Sequence, residues 1–159
     1  MNETTKRIVV AVPWIVFALV IIAMGGPVFA AALIFFGVIG LREFFVMATD
    51  YRPLQIPAYI GLAGMIVAAS LGTSFNVLLM MAVPFLLIFI GAVRRSDREG
   101  ITTSMAMTIF GLFWIGIPLV HAVLLRELPH HGGALLIDVL VGTFAADTGA
   151  YAVGRMFGT

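Results

Sequence analysis

The residues best suited to chemistry lie close together near the end of the chain: Asp147, Tyr151, Gly154, Arg155 and Gly158, preceded by Thr143. Asp147 follows an apolar run, Ala134 to Ala146, of the kind that enters membranes. A carboxylate inside a transmembrane helix costs about 2.5–3.5 kcal/mol on insertion scales, so such residues are generally functional. Helical spacing puts Thr143, Asp147, Ala150 or Tyr151, Gly154 and Gly158 on one face, because residues three and four apart stack. That face offers one charge, two hydroxyls and small residues that admit a ligand or another helix closely. A structural reading stands beside it. Asp147 would then sit at a helix end among headgroups, with Gly154 to Gly158 packing helices as a small-xxx-small motif. The residues alone leave both open.

Other polar residues are weighed the same way. Glu43 closes the second apolar segment, and its neighbour Arg42 is a poor ion-pair partner because adjacent helical residues do not face each other. Asp138 precedes Asp147 by nine residues, on the opposite helix face and about 13 Å away along the axis. The two cannot share a metal within one helix. His130-His131-Gly132-Gly133 lacks a third ligand and reads as a loop. Arg94 to Gly100 is the one charge cluster. It reads as a solvated loop anchoring helix ends at the headgroups, with phosphate binding as the alternative. No Ser/His/Asp arrangement, Walker loop or dinucleotide fingerprint is present.

The elements that position these residues are membrane helices. The 159 residues are 62% hydrophobic and 11% charged, against about 25% charged in ordinary soluble domains. So much apolar surface cannot hide in a soluble core of this size. Nine basic residues, too few and too scattered for a phosphate-binding face, exclude a nucleic-acid partner. The absence of cysteine excludes disulfides and thiolate metal sites. Six apolar segments follow: Ile8–Met24, Val28–Met47, Ile56–Leu71, Val77–Val93, Thr103–Leu125 and the last, from Ala134. Gly61, Gly64, Ala68 and Ala69 suit the third to close packing, and Pro84 predicts a kink in the fourth. With the N-terminus cytoplasmic, Lys6, Arg7, Arg42, Arg52, Arg94, Arg95, Arg98 and Arg155 fall inside and Arg126 alone outside. The reading is an all-α polytopic transmembrane bundle of six helices with both termini inside, a single membrane domain over residues 1–159.

The segment Asp147-Thr-Gly-Ala-Tyr-Ala-Val-Gly-Arg-Met-Phe-Gly158 resembles the D-x-x-A-Y-x-x-G-R-x-x-G segment of the phosphatidate cytidylyltransferases (CDP-diacylglycerol synthases). Related CTP-dependent polyprenol and phytol kinases carry a similar segment, usually with Ser where Tyr151 stands. The resemblance implies a multi-pass enzyme of the cell (inner or plasma) membrane, active on its cytoplasmic side. It would use CTP and phosphatidate, among membrane lipids, and magnesium as cofactor. Asp147 would be the catalytic metal ligand, with Tyr151, Gly154, Arg155 and Glu43 binding substrate. For Arg155 a plain anchor at the helix end is the competing reading. The family pattern continues through a Ser-Pro-x-Lys-Thr-x-Glu-type loop and a signature with Lys, His-Gly-Gly and Asp-Arg-x-x-Asp. Those elements do not occur before Thr159, so the resemblance implies the N-terminal part of a longer protein, inactive alone. A motif face of this kind is also expected to associate with other chains, a homodimer included. Beside this enzyme stand two alternatives: the lipid kinase, and a six-helix transporter or scaffold. The charges of a transporter tend to lie at mid-membrane, whereas these lie at the cytoplasmic boundary.

Overall fold

The computed structural model describes residues 3–157 apart from Thr73, and the side chains of Lys6 and Arg7 as well as Gly158 lie outside the described residues. Six α-helices run in order: α1 Glu3–Met24, α2 Gly26–Met47, α3 Gln55–Ser70, α4 Ser74–Val93, α5 Ile101–Arg126 and α6 Gly132–Phe157. A short 3-10 turn, Thr49–Tyr51, sits between α2 and α3. No strand occurs among the described residues. The all-helical architecture and its six elements agree with the apolar segmentation.

By length and apolarity α2, α5 and α6 can each cross a membrane. The chain is a membrane protein. In α1, α3 and α4 the described apolar stretches are shorter: Val9–Met24, Gln55–Ser70 and Leu78–Val93. The sixteen residues of α3 span only about 24 Å at 1.5 Å per residue, less than a hydrocarbon core of about 30 Å.

The helices form two compact units. One holds α2, α3, α4 and α5 up to Leu124; the other holds α1 and the chain from Leu125 through α6. In the first unit α3, the shortest helix, is the centre. Ala58, Leu62, Met65 and Ile66 on it are fully buried. Lipid tails are as apolar as leucine, so what holds such helices together is close van der Waals contact rather than exclusion of water. Glycines provide it. A Cβ on Gly61 would lie 2.8 Å from the Pro84 ring of α4, and one on Gly37 of α2 would lie 2.7 Å from Leu119. A Cβ on Gly111 of α5 would clash with the Phe44 ring. Pairings such as Gly37–Leu119 and Gly111–Phe44 run in opposite directions along α2 and α5, so these are antiparallel. Gly61 meets Leu112 and Gly116 meets Leu62 and Met65, so α3 and α5 run parallel. The small-residue pattern of α3 thus does serve packing.

The second unit is simpler. Arg126 donates from Nε to the carbonyl of Ile22 at 2.6 Å and from Nη2 to that of Ala23 at 3.2 Å. A cation here satisfies carbonyls that the end of α1 leaves unpaired and complements its negative pole. A Cβ on Gly25, which has φ +62°, would clash with the same guanidinium. Arg126 is therefore a cap on α1 as well as the single outer basic residue of the topology count.

Candidate functional site

Asp147, Tyr151, Gly154 and Arg155 all lie on α6, and all are exposed. From Val141 to Phe157 no residue of this helix is buried. Within its unit α6 is accompanied by α1, toward which Ala145, Thr148 and Ala152 turn across an open groove. Successive helical residues are separated by about 100°, so Asp147 points about a quarter turn away from α1.

The face itself keeps the expected order. Arg155 Nη1 donates to the Tyr151 hydroxyl at 3.3 Å, an i,i+4 pair that holds the guanidinium along the helix. Thr143 turns its hydroxyl back to the Val139 carbonyl at 2.9 Å, so it offers the face an acceptor lone pair rather than a free proton. A Cβ on Gly154 would meet nothing within 4 Å; packing in this chain does not require glycine there. Asp147 enters no ion pair among the described residues, and Asp138, also exposed, is nine residues away on the same helix.

Glu43 lies near the end of α2, in the four-helix unit. Its carboxylate meets Arg42 Nη1 at 3.5 Å, with both side chains more than 60% exposed. This corrects the expectation that Arg42 is a poor partner. Long side chains can fold toward each other outside the helix even where their Cα–Cβ bonds diverge. A pair so exposed contributes at most about 1 kcal/mol.

Around the same end of the unit stands a polar network that the sequence reading did not foresee. The corner Arg52-Pro53-Leu54 enters α3 with Arg52 in the left-handed region, φ +49°. Its carbonyl accepts from Ser104 Oγ and from Arg95 Nη1, the latter at 2.9 Å. Arg95 Nη1 also reaches Ser104 Oγ at 3.0 Å, and the Leu54 N–H donates to Thr108 Oγ1 at 2.8 Å. Ser104 and Thr108 are buried and satisfied. Outside them Arg52 Nη1 pairs with Asp97 Oδ2 at 2.7 Å. The Glu99 N–H bonds Asp97 Oδ1 at 3.0 Å. That bond, followed by the Arg52 and Arg95 charges, holds the Asp97 carboxyl below its usual pKa. Arg95 is thus not a solvated anchor but a clamp between the two loops. The signal was present in Ser104, Thr108 and Gly111, a small and polar stripe at helical spacing on an otherwise apolar segment.

Among the described residues no three His, Cys, Asp or Glu side chains converge to hold a metal. The protein-family comparison is informative: the sequence pattern of the cytidylyltransferase family matches residues 5–159. Searches among curated proteins and among solved structures gave no match. Nearly the whole chain is thus covered by one pattern, on an all-helical membrane scaffold, and on that evidence the chain belongs to the cytidylyltransferase family, transferases that use CTP.

Proposed function

We propose that the protein acts as a phosphatidate cytidylyltransferase, converting CTP and phosphatidate to CDP-diacylglycerol and pyrophosphate. A phosphate oxygen of phosphatidate attacks the α-phosphorus of CTP, and the bond to the β-phosphate breaks as pyrophosphate leaves. The observation that carries this reading is Asp147: an exposed carboxylate without an ion-pair partner among the described residues, embedded in an apolar helix and followed by Tyr151, Gly154 and Arg155.

Magnesium is held by one or two carboxylates completed by phosphate oxygens and water. A single open carboxylate fits the protein's share of such a site, so Asp147 is the proposed ligand. Bound there, the ion would screen the triphosphate and the charge developing in transfer. Arg155, held along the helix by Tyr151, is proposed to pair with phosphate oxygens. The open space at Gly154 lets a phosphate approach the backbone. Glu43 is proposed as a further substrate contact, released from Arg42 at little cost because that pair is exposed. The working side is proposed to be cytoplasmic, where CTP is found, in the cell membrane.

Two labels test the reaction on protein expressed from its complete reading frame. Label from the α-phosphate of CTP entering lipid, with magnesium and phosphatidate present, is the expected result. Label entering from the γ-phosphate, with a polyprenol as acceptor, would instead identify a lipid kinase.

A further inference from the structure

Three helices of the four-helix unit bring sulfur and nitrogen to one cavity. Met65 of α3, Met81 of α4 and His121 of α5 line a space of about 300 Å³ whose other walls, Leu78 and Ile117 among them, are apolar. The three donors also lie at one depth. Gly61 meets Pro84 and Gly64 meets Met80, so α4 runs antiparallel to α3, while α5 runs parallel to it. Met65 is five residues before the end of α3, Met81 seven after the start of α4 and His121 five before the end of α5. At 1.5 Å per residue these offsets are about 8–11 Å, all from the end of the unit away from the Arg52–Arg95 junction.

The local geometry leaves these atoms available. His121 Nδ1 lies 2.8 Å from the Ile117 carbonyl. A carbonyl only accepts, so Nδ1 carries the proton. In the neutral ring Nε2 then keeps a lone pair, with no hydrogen-bond partner among the described residues. Imidazoles that bind metals are commonly fixed in this way, the other nitrogen donating to a backbone carbonyl. Met65 is fully buried, and its terminal methyl would lie 3.5 Å from a Cβ on Gly116, which brings its thioether to the surface of α5. Met80 turns its sulfur toward Gly64; the helical step of about 100° sends Met81 to the cavity instead.

Donor chemistry selects the ion. Thioether ligands favour Cu(I) and imidazole suits copper, whereas magnesium, calcium and manganese prefer oxygen. All three donors are neutral, and no carboxylate lines the cavity among the described residues. A bound ion therefore keeps its whole charge in apolar surroundings. That penalty rises steeply with charge, so a monovalent ion is held there at far lower cost than a divalent one.

We propose that Met65, Met81 and His121 form a three-coordinate site for a soft monovalent cation, Cu(I). The site does not depend on the proposed cytidylyl transfer, whose residues lie on α6 and at the Glu43 end of α2.

Silver(I), which shares the ligand preference of Cu(I) and keeps its oxidation state, is the probe. Protein expressed from its complete reading frame, labelled with carbon-13 at the methionine methyls, is titrated with silver nitrate in detergent free of chloride and thiols. The signals of Met65 and Met81, assigned from Met65→Leu and Met81→Leu, should shift together and saturate, while that of Met80 stays in place. Zinc nitrate at the same concentration should move neither. His121→Gln, at an exposed position, should weaken silver binding at this pair by about ten-fold or more, at least the effect of disturbing an outer-shell partner. Cu(I) supplied without oxygen should reproduce the silver shifts. Unmoved signals at Met65 and Met81, an equal shift at Met80, undiminished affinity in His121→Gln, or an equal response to zinc would overturn the site.

Discussion

Arg52 and Asp97 meet at 2.7 Å across two loops that are far apart in sequence, but the pair is the outer and weaker part of their junction. Both side chains are more than half exposed, so solvent screens the ion pair and its contribution is small. Ser104 is different, since it is buried and serves the Arg52 carbonyl from inside. Removing its hydroxyl takes away one of that carbonyl's two donors, leaving Arg95 Nη1 as the other, at a cost of about 0.5–1.5 kcal/mol. Ser104→Ala should therefore lower the thermal midpoint in detergent more than Asp97→Asn does. The reverse order would show that the ion pair, not the buried hydroxyl, holds the loops.

Asp97 also makes the junction sensitive to acid. Its folded-state pKa is depressed, chiefly by the Glu99 N–H and further by Arg52 and Arg95. The contribution is present above the unfolded carboxylate value and is lost as pH falls through the lower folded value. Acid titration of the loops, followed by hydrogen exchange near Glu99, should show loosening only below the ordinary carboxylate range. Asp97→Asn should abolish that step. A step at neutral pH would assign the sensitivity elsewhere.

Glycine positions differ sharply in their tolerance. At Gly61 the added methyl meets the rigid Pro84 ring at 2.8 Å, whereas at Gly64 it meets the flexible Met80 sulfur at 3.6 Å. Gly61→Ala should destabilise by about 1–3 kcal/mol; Gly64→Ala should be nearly neutral. Unfolding in a detergent–denaturant series compares them. Equal effects would mean that α3 and α4 do not pack at this crossing.

On α6 the two carboxylates should separate by function. Asp147→Asn keeps the size of the side chain but removes the charge proposed to hold magnesium. In protein from the complete reading frame, it should lower CMP transfer by two or more orders of magnitude, while Asp138→Asn leaves it within a few-fold. Unchanged rate and magnesium dependence in Asp147→Asn would remove that residue from the site.

The charge asymmetry predicts topology. Cysteines placed singly on this cysteine-free chain should react with an impermeant thiol reagent from the cytoplasmic side in the Arg94–Gly100 loop. A cysteine at His130 should react from the other side. Labelling of the Arg94–Gly100 loop from outside would overturn the arrangement with both termini inside.

The helices were legible because membrane segments announce themselves by apolar length, and the glycines of α3 by spacing. Polar connections were not, because they depend on which loops the packing brings together. Arg95 and Ser104 are nine residues apart, but their shared acceptor is the carbonyl of Arg52, which no local pattern links to either. The Arg42–Glu43 contact was misread for a related reason: backbone direction was taken to decide where long flexible side chains end. Asp147 stands out in the sequence by its chemistry, but no local pattern says that α1 is the helix that accompanies α6 in its unit.

The bond from Arg126 to the end of α1 has a consequence for biosynthesis. Ile22 leaves the ribosome 104 residues before its partner, an interval of roughly 5–20 s at ordinary elongation rates. Throughout that interval α1 must persist in the bilayer without its C-terminal cap. Its junction with α6 can close only after the four-helix unit has been synthesised. Assembly of the chain is therefore not a zipper from the N-terminus: the first helix made is among the last to be fixed.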